Sequence, residues 1–190
     1  MDDVEILRCA DVDGWDRWLA AHGTSRSAVW LAIARKGSGT ATLTATEAGD
    51  VAICHGWIDS TRRRLDATHF LQRYSPRRPG SPWSRVNIER VAALEAAGRM
   101  RPAGLAQVVA AQADGRWATA YAPQRTAAVP DDLAAALAAN DRARAAYQAL
   151  GRSDRYAVFL PLLKAHTSTA RAGALRRALA GLEAAGGPAR

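Results

Sequence analysis

Ser27-Ala28-Val29-Trp30-Leu31-Ala32-Ile33-Ala34-Arg35, a glycine-bearing loop, and then Thr44-Ala45-Thr46-Glu47 together decide the fold class. Val29, Leu31 and Ile33 alternate with Trp30, Ala32 and Ala34, the two-residue period of a strand with a buried face. Lys36-Gly37-Ser38-Gly39 breaks that run. Thr44 with Glu47 three positions later is a capping box, and it predicts a helix to about His55. Gly56 stops the helix, and Trp57-Ile58-Asp59 starts an extended segment. Arg62-Arg63-Arg64 and His69-Phe70-Leu71-Gln72-Arg73-Tyr74 read as two strands joined near Asp66.

Upstream, Asp13 is placed to cap a short helix with Trp15, Trp18 and Leu19 on one face, ended by Gly23. Downstream, Pro76, Pro79, Gly80 and Pro82 interrupt regular structure. Ser84 then caps a helix from Arg85 to Ala97, and another runs from Pro102 to about Asp114. Beyond Pro130 the pattern is helical, with breaks near Asn140, Gly151 and Ser168. The order reads as α+β: a small antiparallel sheet with flanking helices and a helical C-terminal third. The expected division is an α+β core over residues 1–120 and a helical region over 121–190 packed on it.

The chain has 190 residues, enough for a core that needs no staple. Two cysteines, Cys9 and Cys54, make no disulfide framework, and no Cys/His spacing suits zinc, so no metal and no cofactor is expected. The opening Met1-Asp2-Asp3-Val4-Glu5 is acidic, unlike a signal peptide, and no apolar run reaches membrane-spanning length. These readings predict a cytoplasmic protein.

Net charge is +8. Arginine supplies nearly all of the positive charge, and it is clustered. Residues 60–101 hold ten arginines against Asp66, Glu89 and Glu95. Such a patch calls for an acidic partner. Arg73, Arg77 and Arg78 precede a loop with Ser81 and a helix start at Ser84, all good anion ligands. Trp57, Tyr74 and Trp83 add aromatic surface. The reading is a pocket formed by Trp57, Arg73, Tyr74, Arg77, Arg78, Ser81, Trp83 and Ser84 for a small anionic or aromatic molecule.

Two alternatives accompany that reading. One is an enzyme acting on the same ligand, with Asp59 as its acid or base. The other is a nucleic-acid binder, since arginines interleaved with aromatics suit single strands, although alternation along a strand would split Arg62–Arg64 between faces. Cys54-His55 invites a nucleophile reading, but neighbours on a helix point about 100° apart, so the pair reads as structural.

Several motifs resemble the YdeI/OmpD-associated, or bacteriocin-protection, family. They are Val29-Trp30-Leu31, Lys36-Gly37, Cys54-His55-Gly56-Trp57-Ile58-Asp59, Gln72-Arg73-Tyr74-Ser75-Pro76-Arg77-Arg78, Ser81-Pro82-Trp83-Ser84 with Asn87, Gly98-Arg99-Met100 and Asp114-Gly115-Arg116-Trp117. His55 and Ser60 stand where that family often has an aromatic and a glycine. The resemblance implies a role in tolerance of cationic antimicrobial peptides and envelope stress, and it carries over no catalytic residue. A basic protein repels a cationic peptide, so protection by direct capture is disfavoured.

Overall fold

The computed structural model describes residues 5–40 and 42–185. The acidic Met1-Asp2-Asp3-Val4 lies outside the described residues. The elements run β1 (Ile6–Arg8), α1 (Val12–His22), β2 (Val29–Ala34), α2 (Ala45–Cys54), β3 (Trp57–Arg64), β4 (His69–Pro76), α3 (Arg85–Ala96), α4 (Pro102–Ala113), α5 (Asp131–Ala138), α6 (Asp141–Ala149), α7 (Arg152–Leu163) and α8 (Ser168–Ala185). The fold is α+β, with its last four described helices in the C-terminal part.

The chain forms two compact units. The first holds the described residues up to Ser81 together with Glu89–Asp114; the second holds Pro82–Ile88 and the described residues from Gly115 onward. The sequence alone places one boundary at 120. The short stretch 82–88 joins the second unit because it pairs there. Ser84 bridges Tyr121, the Tyr121 N–H donates to the Trp83 carbonyl at 3.0 Å, and the Arg85 N–H donates to the Tyr121 carbonyl at 2.9 Å.

In the first unit the strand order is β1-β2-β4-β3. The β2–β4 and β4–β3 pairs are antiparallel, as expected. β1 adds a parallel edge beside β2, which makes the sheet mixed. Its three residues are too few to show a period in sequence.

Val29, Leu31 and Ile33 are buried on one sheet face with Tyr74, against Trp15, Leu19, Ala48, Val51 and Ala52 from α1 and α2. Side chains of that size contribute about 1.5–3 kcal/mol each when fully buried. α1 is capped by Asp11, which accepts from the Gly14 N–H at 2.8 Å, rather than by Asp13. The α2 capping box is complete: the Glu47 N–H donates to Thr44 Oγ1 at 3.2 Å, and the Thr44 N–H donates to Glu47 Oε2 at 2.7 Å.

The second unit has its own core. Leu133, Leu137, Ala143, Tyr147, Phe159, Leu162, Ala174 and Leu182 pack together from α5 to α8. Asn140 caps α6, accepting from the Ala143 N–H at 3.0 Å. Arg171 ties α8 to α5 by a two-pronged pair with Asp132, at 2.7 and 2.9 Å.

Candidate functional site

The aromatic members of the sequence-predicted pocket are core side chains. Trp57 and Tyr74 are each 1% exposed and belong to the core of the first unit. The Trp57 indole N–H donates to the Gly23 carbonyl at 3.2 Å. Burial first, and then the charge of Asp59 opposite it in the sheet, push the Tyr74 hydroxyl well above the usual tyrosine value. Trp83 is buried in the second unit, its ring centroid 5.0 Å from that of Trp117.

Among the polar members, Arg73 lies across from Trp30 in the β2–β4 register and is half-buried. Arg77 is buried, and its backbone N–H donates to the Gly56 carbonyl at 2.9 Å. Arg78 is exposed, and its backbone N–H donates to Ser81 Oγ at 3.1 Å. Ser84 caps α3 by accepting from the Asn87 N–H at 3.2 Å. Trp57, Asp59, Arg73, Tyr74, Arg77, Arg78 and Ser81 fall in the first unit, while Trp83 and Ser84 fall in the second. Asp59 is exposed on β3, next to a register shift between Asp59 and Arg62.

A different part of the arginine cluster opens onto a cleft. The ends of β2, β3 and β4 and the loop into α2 enclose about 1010 Å³. Ile33, Leu43, Ala45 and Phe70 give it apolar surface. Arg35, Lys36, Arg62 and Arg64 give it cations, while Arg63 borders it but carries its guanidinium to the Trp30 ring on the other face of the sheet, and no aspartate or glutamate is among its described lining residues.

Two of these arginines are oriented by aromatic rings. The Arg62 guanidinium carbon lies 4.3 Å from the Phe70 ring centroid, and its Nε–H donates to Gln72 Oε1 at 3.0 Å. The Arg63 guanidinium carbon lies 4.2 Å from the Trp30 centroid. Gly37 and Gly39, at φ of 80° and 73°, let the loop turn where a side chain would be strained. The hydroxyls of Ser38, Thr40, Thr42 and Thr44 also line the space. Sequence contained each part, a triple arginine and a Lys-Gly-Ser-Gly loop. It could not show that strand register brings them to one corner.

Asp16 organises a second cluster in the first unit. His55 Nε2 donates to Asp16 Oδ1 at 2.8 Å, and Arg101 Nη2 donates to Asp16 Oδ2 at 2.9 Å. Burial works to raise the Asp16 carboxyl. The hydrogen bond from His55 and the charge of Arg101 outweigh it and hold the group below the usual carboxylate value. Cys54, next to His55, is buried, and burial raises its thiol, which makes it a poor nucleophile. Among the described residues no group of three His, Cys, Asp or Glu could hold a metal ion, and no helix is long and apolar enough to cross a membrane.

Residues 7–107 match a family model described as a domain of unknown function (DUF8412). Residues 126–184 match a second, described as "Bacteriocin-protection, YdeI or OmpD-Associated". The resemblance, read in sequence from about Trp15 to Gly186, is met by this second model over residues 126–184. Most of its motifs lie in the stretch that matches the first model. No curated protein and no solved structure matches the chain.

Proposed function

As the chain belongs to the DUF8412 domain family and carries a YdeI/OmpD-associated segment behind that domain, we propose that it is a cytoplasmic stress- or bacteriocin-resistance protein that binds a small anion with an apolar or aromatic body. The observation that carries this reading is the cleft of about 1010 Å³ at the sheet corner, where Arg35, Lys36, Arg62 and Arg64 border apolar surface without a carboxylate among the described lining residues. Cations that outnumber the acids around them attract anions, and the apolar surface rewards a ligand with a hydrophobic body. Its volume lies at the upper end of the ~300–1,000 Å³ range of small-molecule sites. Free, buried Cys9 and Cys54 agree with a reducing compartment. The role is indirect: the protein handles an anionic compound and leaves the cationic bacteriocin to others, since like charges repel.

Calorimetric titration with 1-naphthyl phosphate, with inorganic phosphate and 1-naphthol as partial ligands, tests this. The naphthyl ester should bind more tightly than either, and the double substitution Lys36→Gln/Arg64→Gln should weaken it at least tenfold, since a hydrogen bond to a charged group is worth about 1.5–3 kcal/mol. Equal affinity for the double variant would remove the site from this cleft. Tighter, strongly salt-dependent binding of a single-stranded oligonucleotide would move the function to nucleic acid. Asp59 is absent from the lining residues of the cleft, so Asp59→Asn should leave naphthyl phosphate binding unchanged.

A further inference from the structure

We infer that the helical unit contains a second, separate ligand site, for a small aromatic carboxylate. Its place is a cleft of about 420 Å³ beside α6 and α7 and the segment leading into α5. The cleft lies in the second unit, so this inference stands apart from the sheet-corner reading. Arg125, Arg152 and Arg155 line it together with Tyr147, Tyr156 and Phe159, and no aspartate or glutamate is among its described lining residues.

Two of the three cations there are held in place, and none of the three pairs with an acid among the described residues. Arg155 donates through Nε to the Tyr147 carbonyl at 3.2 Å and through Nη2 to the Gln148 carbonyl. Those bonds close the last turn of α6, which accounts for the side chain's position but leaves N–H donors over. Arg152 donates to the Arg125 carbonyl at 3.2 Å and likewise keeps further donors. Elsewhere in this unit arginines are spent on acids: Arg144 pairs with Asp141, and Arg171 with Asp132. A guanidinium held by carbonyls is pre-oriented yet keeps its full charge, which suits a carboxylate.

The apolar side of the cleft is aromatic. Tyr156 and Phe159 meet edge to face, with centroids 5.4 Å apart, and the Tyr156 hydroxyl donates to the Ala122 carbonyl at 3.0 Å, which fixes its ring. The Arg155 guanidinium carbon is 5.6 Å from the Tyr147 centroid. Tyr147 is 8% exposed, and its hydroxyl has no hydrogen-bond partner among the described residues. Tyr147 is thus a core residue that also borders the cleft, and its buried, unpartnered hydroxyl is a departure from ordinary core packing that a ligand beside it would account for. The cleft is near the small end of ligand pockets, about 300 Å³, so it suits a one-ring acid.

Benzoate is the test compound, followed by amide chemical shifts in ¹⁵N-labelled full chain. Benzoate should saturate shifts within residues 124–159, with acetate and benzyl alcohol at least tenfold weaker. Arg125→Gln and Arg152→Gln should each weaken benzoate at least threefold. Among the described residues Arg125 makes no side-chain hydrogen bond or ion pair, so its variant decides the matter if Arg152→Gln unfolds. Lys36→Gln/Arg64→Gln should bind benzoate as the unaltered protein does, so the two sites fail or succeed separately. Shifts confined to residues 33–70, no saturation at millimolar benzoate, acetate binding as tightly as benzoate, or unchanged affinity in Arg125→Gln would each overturn the inference.

Discussion

Tyr147 and Asp16 differ in what surrounds their polar atoms, and the difference sets what their substitution does. The Tyr147 hydroxyl is buried without a described partner, and such a group costs about 1–3 kcal/mol. Tyr147→Phe should therefore stabilise the ligand-free protein by about 1 kcal/mol, read from the midpoint of urea unfolding. Asp16 is the reverse case, fully engaged by His55 and Arg101. Asp16→Asn should cost about 1.5–3 kcal/mol on the same measurement. Because the Asp16 carboxyl is held below its usual value, its contribution is complete above about pH 4 and is lost as pH falls further. Asp66, drawn down to about 2 first by the Thr68 backbone N–H and then by that of His69, follows the same sign, its contribution fading as pH falls from about 4 towards 2. Acid unfolding of Asp16→Asn should accordingly show a shallower fall below pH 4 than the unaltered protein. Cys54-His55 was legible as structural because helix geometry separates neighbours. The aspartate that His55 meets lies 39 positions away, and no local pattern in the chain points to it.

The one-turn signal of α2 was readable, that of α1 was read two residues late, and contacts between elements were not readable. Thr44 and Glu47 announced α2, and both bonds of the box are present. Thr44→Ala should remove about 1 kcal/mol, seen as a lower melting temperature. The docking of α4 on the end of α2 depends on Gly104, an unremarkable glycine in sequence. A Cβ at Gly104 would stand 2.2 Å from the Cys54 carbonyl oxygen and 2.7 Å from that of Ile53. Backbone cannot step aside as a side chain can, so Gly104→Ala should destabilise by about 3 kcal/mol despite alanine's better helix propensity. Denaturation monitored by tryptophan fluorescence checks it. The strands from β2 onward were legible in sequence, but β1 and the register shift between Asp59 and Arg62 were not. That register decides which arginines face a cleft.

Charge was the molecule-wide property that sequence conveyed best, and its destination was the part it conveyed least. The cluster in residues 60–101 is real, yet its members divide among roles: Arg90 pairs with Asp50, Arg101 with Asp16, and Arg62 and Arg64 line the sheet corner. Trp57 and Trp83, read in sequence as pocket wall, are buried, and sequence had no means of showing that. An indole is as useful in a core as in a binding wall, and only burial separates the two. The first unit, finally, is discontinuous along the chain, and that has a bearing on its birth. When a ribosome has released residues up to Ser81, every described strand has been made. The helix that seats on Cys54 and the arginine that closes on Asp16 have not. The nascent sheet must wait for residues 89–114, through a stretch that belongs to its neighbour, before its last surfaces are covered. Pausing synthesis between Ser81 and Asp114 should thus leave a chain that proteases cut and chaperones hold, until α4 emerges and seals it.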